Sequence, residues 1–149
     1  MHLNLVPLQE SHVEEIEYRE SDKTASQYFR ELLEKKPDNC KAWALIDEQD
    51  KVVAMGGLSF PWPKVADAFM TFSKDVENDS DIALKVFWHI KKIIKSAFET
   101  YELHRMQAST PIGYGNRFRW LENLGFEYEG TLKKYSPDGQ DFILYGKVK

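Results

Sequence analysis

A single cysteine, Cys40, leaves this chain of 149 residues unable to form an internal disulfide, which fits a reducing, cytoplasmic setting. Cys40 has no catalytic partner marked by spacing, so a half-buried structural thiol is expected. No apolar run approaches the roughly 20 residues that a helix needs to cross a bilayer, so no membrane partner is expected. The first residues, Met1-His2-Leu3-Asn4-Leu5-Val6, lack a basic region followed by an apolar one, and no signal peptide is expected. Positive charge is not in excess: 20 Lys and Arg stand against 24 Asp and Glu, a net charge of −4. That balance argues against a nucleic-acid partner. Repeats, low-complexity segments and linkers are missing too, and no metal site is expected.

Apolar surface is plentiful. At 42% hydrophobic and 13% aromatic residues, the chain can build one globular domain over 1–149. The clearest element is a helix over 82–98. Ala83, Val86, Phe87, Ile90, Ile93, Ile94, Ala97 and Phe98 form its apolar stripe, and Lys85, His89, Lys92 and Lys95 its polar face. Asp79, Ser80 or Asp81 can cap it. Before it stand a strand over 66–73 and an acidic turn over 74–81. A strand feeding a helix through a tight turn is where α/β proteins bind anions.

In chain order, Leu3 and Leu5 mark a short edge strand. Ser11 and Glu14 have capping-box spacing, which predicts a helix from Ser11 that frays near Ser21. A second helix opens near Thr24 on Ala25, Tyr28, Phe29, Leu32 and Leu33, and Pro37 stops it. Strands over 42–47 and 51–60 flank the turn Glu48-Gln49-Asp50. Gly56-Gly57 inside the second predicts a bulge or a close backbone approach. Pro61-Trp62-Pro63 should break the strand. Trp62 then either meets a partner or lies on the core edge, the plainer reading. A strand over 104–110, a turn over 111–115 and a short helix over 116–124 follow. Gly125 is the expected helix stop. Strands over 126–134 and 142–147 close the chain around Ser136-Pro137-Asp138-Gly139.

The predicted order is β-α-α-β-β-β-α-β-α-β-β. With Leu124-Gly125-Phe126, Glu129-Gly130 and Leu144-Tyr145-Gly146 at its end, it resembles the GNAT (GCN5-related N-acetyltransferase) fold. That implies an α/β (α+β) domain with a mixed, mostly antiparallel sheet of six to seven strands and about four helices. Ala54-Met55-Gly56-Gly57, Phe69-Met70-Thr71-Phe72-Ser73 and Arg119-Trp120-Leu121 are similar to the small GNAT-like virion proteins of T7-type phages.

The resemblance implies acetyl-CoA as co-substrate and an amine, small or a protein N-terminus, as acceptor. It places the cofactor beside Phe72, Ser73, Asn78, Ser80 and Asn116. Asp75 and Glu77 become candidate bases, with His104 a further one, and Tyr114 a candidate proton donor to the thiolate. Leu121 stands where many such enzymes carry a tyrosine. The family cradles the diphosphate on a glycine loop, whereas Glu77-Asn78-Asp79-Ser80-Asp81 holds no glycine. Each of its carboxylates facing a phosphate at roughly 5 Å costs on the order of 1–3 kcal/mol. A second reading is therefore a catalytically inactive module that binds a protein, such as a phage virion or assembly component, with Trp62, Trp88 and Trp120 as candidate anchors. A homodimer is open on either reading.

Overall fold

The computed structural model describes residues 2–19, 22, 25–113 and 115–149, with the backbone alone for 115–118. Among them are five helices and seven strands, and the sheet order is β1-β2-β3-β4-β5-β7-β6. The expected mixed sheet is therefore present. The chain falls into two compact units: Met1–Ser59 with Phe69–Lys92, and Phe60–Ala68 with Ile93–Lys149.

In the first unit, β1 (Asn4–Pro7) pairs antiparallel with β2 (Cys40–Ile46). The Leu8 amide still donates to the Ala42 carbonyl, so the chain leaves the sheet only at Gln9. Helix α1 (Glu10–Glu15) starts there, one residue before the predicted Ser11, and ends well short of Ser21. Its cap is Gln9, whose N–H donates to His12 Nδ1 at 3.0 Å, and the Ser11–Glu14 capping box is not used. Helix α2 (Ala25–Lys35) buries Phe29, and Lys36 turns the chain left-handed before Pro37.

The hairpin to β3 (Val52–Trp62) is tied by Asp47, whose Oδ1 accepts the N–H groups of Gln49 and Lys51, both at 2.9 Å. Its bulge lies at Leu45/Ile46, and Gly56 and Gly57 are paired in register with Trp43 and Ala42. They serve close approach instead. A Cβ on Gly56 would stand 2.6 Å from the carbonyl oxygen of Phe69, and one on Gly57 would stand 2.6 Å from Phe69 Cζ and run into the Lys41 carbonyl. Phe69 belongs to β4 (Val65–Phe72) and meets Tyr28 of α2 edge to face and Phe29 at a tilt. Leu8, Val13, Ile16, Phe29, Ala44, Val52 and Met55 complete this core.

The predicted acidic turn is instead a helix, α3 (Lys74–Asn78). It forms because Val76 is buried and the Lys74 amide donates to the Glu17 carbonyl at 2.9 Å, which fixes the first turn. Helix α4 (Ser80–Thr100) follows directly. Its Val86 and Ile90 are buried in the first unit, and Ala97 and Phe98 in the second.

In the second unit, β3 runs on through Pro61 to Trp62 and does not break at the prolines. The β2 ladder ends at Ser59, so Pro61 needs no N–H on that side. The turn is Pro63-Lys64, with Lys64 at φ 68, and its carbonyl accepts the N–H of His104. Trp62 is 70% exposed, which removes the core-edge reading. Val65–Asp67 of β4 pair parallel with β5 (Arg105–Pro111), which pairs antiparallel along its length with β7 (Phe142–Val148).

Helix α5 (Gly115–Asn123) stops at Leu124-Gly125, with Gly125 at φ 94. Lys147 Nζ donates to the Leu124 carbonyl at 3.0 Å, and a Cβ on Gly125 would collide with that ammonium. The Leu-Gly-Phe signature thus encodes a helix end capped by a lysine. Strand β6 (Glu127–Leu132) pairs with β7 and shifts register between Tyr128 and Gly130. The shifted Glu129 carboxylate crosses over Gly146 to accept from the two terminal nitrogens of the Arg105 guanidinium, Nη2 at 2.5 Å and Nη1 at 3.0 Å.

Gly57→Ala should destabilise the protein by about 2–3 kcal/mol in urea unfolding, because backbone and ring must both move. A loss under about 1 kcal/mol would show that the approach is not tight. A second test concerns pH. The Arg105 hydrogen bonds hold the Glu129 carboxyl below its ordinary value of 4.5. A depressed carboxylate stabilises the fold above its ordinary value and stops doing so as pH falls through the folded one. Glu129→Gln should cost about 0.5–1 kcal/mol near neutrality, the pair being partly solvated. That difference should shrink to nothing as pH falls from 4.5 through the lower folded value. A difference that persists in acid would mean the side chain acts by packing.

Candidate active site

Most of the predicted site falls on one stretch of the first unit, from Phe72 at the end of β4 to Ser80 at the start of α4. Thr71 is buried and donates from Oγ1 to Asp22 Oδ2 at 2.8 Å. Asp22 is buried as well and accepts from Arg19 Nε at 2.9 Å and Nη2 at 2.7 Å. The guanidinium lies over the Phe72 ring, 5.0 Å from its centroid. Strand alternation explains the placement: Thr71 and Ser73 point to one side, Phe72 to the other. Phe72 is half-buried, with this cation over its ring.

Ser73 is only 1% exposed. Its N–H donates to the Val53 carbonyl at 2.9 Å, and it bridges to Tyr18. Its Oγ is buried and makes no hydrogen bond among the described residues. Ser73 sits at the cap position of α3, yet its side chain does not cap that helix. A buried hydroxyl without a partner costs about 1–3 kcal/mol unless something else uses it. Beside it, Tyr18 donates from its hydroxyl to the Val13 carbonyl at 3.0 Å. Burial pushes the Tyr18 phenol above its ordinary value, although Arg30 pulls the other way, so it stays protonated and a donor.

The candidate bases differ in circumstance. Asp75 forms an ion pair with Lys51 at 2.6 Å. The Lys51 ammonium is raised first by that hydrogen bond and then by the charges of Asp75, Glu17 and Asp47. Glu77, on the same turn of α3, is exposed, as are Asn78 and Ser80 at the junction of the two helices. His104 is exposed and held through its backbone, at the start of β5. Tyr114 lies outside the described residues, and so does the side chain of Asn116. Leu121 is half-buried on α5.

The first amides of α4 already have a carboxylate. Asp79 Oδ1 accepts the N–H of Asp81 at 2.9 Å and of Ile82 at 3.3 Å, so among the three predicted caps Asp79 takes the role. Asp75, Glu77 and Asp81 stand in the same seven-residue segment. A diphosphate does not fit these amides as they stand.

Sequence reasoning missed Arg19, Asp22 and Lys51. Arg19 and Asp22 have a local i, i+3 spacing, but Thr71 lies 49 residues from Asp22 and nothing local links them.

A family model described as an acetyltransferase (GNAT) domain matches residues 3–143. The chain therefore belongs to the GNAT acetyltransferase family. Among solved structures it is similar to the ribosomal-protein-S5-alanine acetyltransferase from Vibrio fischeri. The identity is 19% and the TM-score 0.71, covering 99% of this chain and 93% of that one. It is also similar to a GNAT-family acetyltransferase from Bacillus anthracis, at 18% identity and TM-score 0.74, covering 99% and 95%. A spermidine N-acetyltransferase SpeG chimera from Vibrio cholerae and hSSAT matches at 15% identity and TM-score 0.72, covering 99% and 96%. At such identities the likeness shows the fold alone. Among curated proteins, none matches the chain. None of these neighbours is a phage virion protein by its name. No helix of the described residues is long and apolar enough to cross a membrane.

Removing the buried carboxylate tests the cluster. Asp22→Ala should cost about 3 kcal/mol or more, because among the described residues Arg19 then has no acid paired with it. Arg19→Met with Asp22→Leu should recover most of that loss in the same unfolding assay. A double variant no more stable than the single one would show that Asp22 acts chiefly through Thr71.

Proposed function

We infer that the chain is an N-acyltransferase that moves an acetyl group from a thioester, acetyl-CoA in the form the family implies, to an amine. Family membership over residues 3–143 supports the reaction class. The observation that carries the reading to a place in the molecule is Ser73, a buried hydroxyl at the end of β4 with no hydrogen bond among the described residues. A ligand carbonyl accepting from Oγ offsets the cost of burying it.

The transfer needs little covalent chemistry from the protein. The amine nitrogen attacks the thioester carbonyl carbon and a C–N bond forms. The C–S bond breaks, and the thiolate leaves with its electron pair and takes up a proton. The nitrogen loses its extra proton to a base, directly or through water. Glu77 is the better base of the two acids on α3, because Asp75 is tied to Lys51. Tyr114 is the proposed proton donor to the thiolate, and Asn116 a proposed contact for the donor. Both proposals rest on the resemblance. A small polyamine or a protein N-terminus is the acceptor class, by analogy with what the neighbours' names state.

A second reading has one observation of its own. It is a GNAT-like module without catalysis, kept for binding a protein such as a virion or assembly component. Trp62, exposed at the end of β3, is the observation that favours it and would be its anchor.

Ser73→Ala separates the two. Under the acyltransferase reading, the variant should be as stable as the parent or up to about 1 kcal/mol more so, since it deletes a buried unpaired hydroxyl. Thiol release from acetyl-CoA with amine acceptors should fall about tenfold or more, the equivalent of one lost hydrogen bond in the bound state. Unchanged turnover in a stable variant would remove Ser73 from the site. A folded parent without turnover on any amine would favour the binding module.

A further inference from the structure

We propose that Asp79 is a built-in replacement for the anion that the start of α4 would otherwise hold, so that this protein recognises a thioester donor by its pantetheine arm and not by its phosphates. The inference rests on the acyltransferase reading above and gives it a donor class: acyl thioesters selected without regard to a nucleotide diphosphate.

A helix leaves its first N–H groups without intrahelical partners, and together with the dipole they form an anion site. Helix α4 is 21 residues long, so its dipole is fully developed. The groups to be satisfied belong to Ser80, Asp81 and Ile82, since the Ala83 amide already donates to the Asp79 carbonyl. Asp79 Oδ1 accepts from two of the three. A phosphate oxygen can bond these amides only after that carboxylate has been expelled. The same segment carries Glu77 and Asp81, both exposed and without an ion pair to a cation among the described residues. Lys51, the cation paired within this segment, is bound to Asp75. Glycine is missing from the whole stretch 74–81, so no residue there offers the bare backbone that a diphosphate needs. Geometry, charge and backbone thus exclude the same ligand group. The pantetheine arm carries amides, a hydroxyl and a thiol but no phosphate. Ser73, one residue before α3, offers a buried donor of the kind such amides use.

The test is calorimetric titration of the full chain with CoA and with pantetheine, at low and at moderate salt. Affinities within about tenfold of each other are expected, a difference below about 1.4 kcal/mol. CoA binding should be unchanged or strengthened by salt, because screening relieves repulsion. In Asp79→Gly, CoA should gain about tenfold or more over pantetheine. Asp79→Asn keeps a capping oxygen and loses the charge, and it should move CoA in the same direction by a smaller factor. It also serves if the glycine variant does not fold. CoA binding more than about tenfold tighter than pantetheine in the parent overturns the inference and leaves the acyltransferase reading standing. So does an unchanged ratio in the folded variants. If neither compound binds the folded parent at millimolar concentration, the acyltransferase reading fails and the inference with it.

Discussion

Phe69 lies across two residues that have no side chains, and the first unit depends on that contact. Gly56 and Gly57 let β4 approach β3 until a Cβ on either would strike backbone or ring. The ring then reaches α2, meeting Tyr28 at 5.2 Å and Phe29 at 5.8 Å between centroids. With Phe69 placed, strand geometry leaves little freedom to the next four residues. Two residues on, Thr71 meets Asp22, and two further, Ser73 comes to rest against Val53. The constraint is steric, so neither salt nor pH relaxes it.

Around that frame, three acids, Asp22, Asp75 and Asp79, are each given work. Asp22 is held by Arg19 and Thr71, Asp75 by Lys51, and Asp79 by two helix amides. A carboxylate in such a role is not free to take a proton from a substrate. The same amides cannot serve both an internal carboxylate and an external phosphate. The start of α4 thus uses for its own stability the donors that an external anion would need.

The second unit uses missing side chains in another way. Gly125 leaves room for the Lys147 ammonium, and Gly146 leaves room for the Glu129 carboxylate. In both places a charged group from a neighbouring element occupies the space that a Cβ would fill. The Leu124-Gly125-Phe126 signature accordingly has a structural meaning, a helix end satisfied by a lysine, which is independent of catalysis.

The sequence by itself determined the elements whose signal is local. The stripe of α4, the left-handed stop at Gly125, the turn after Pro137 and the closing strands come from backbone preferences and side chains within a few residues of each other. It also marked Asp79 as a possible cap of α4. Tertiary structure decided whatever depended on partners far along the chain. The start of α1 moved to Glu10 because Leu8 is still bonded to β2, and the turn at 74–78 became a helix because Glu17 receives its first amide. Strand β3 kept Pro61 because its ladder with β2 ends at Ser59, opposite Cys40. The pairing of Asp22 with Thr71, and of Lys51 with Asp75, depends on strand register and on how α1 and α2 are joined. Local periodicity carries no record of either, because a hydrogen bond between residues 49 apart leaves no spacing to read.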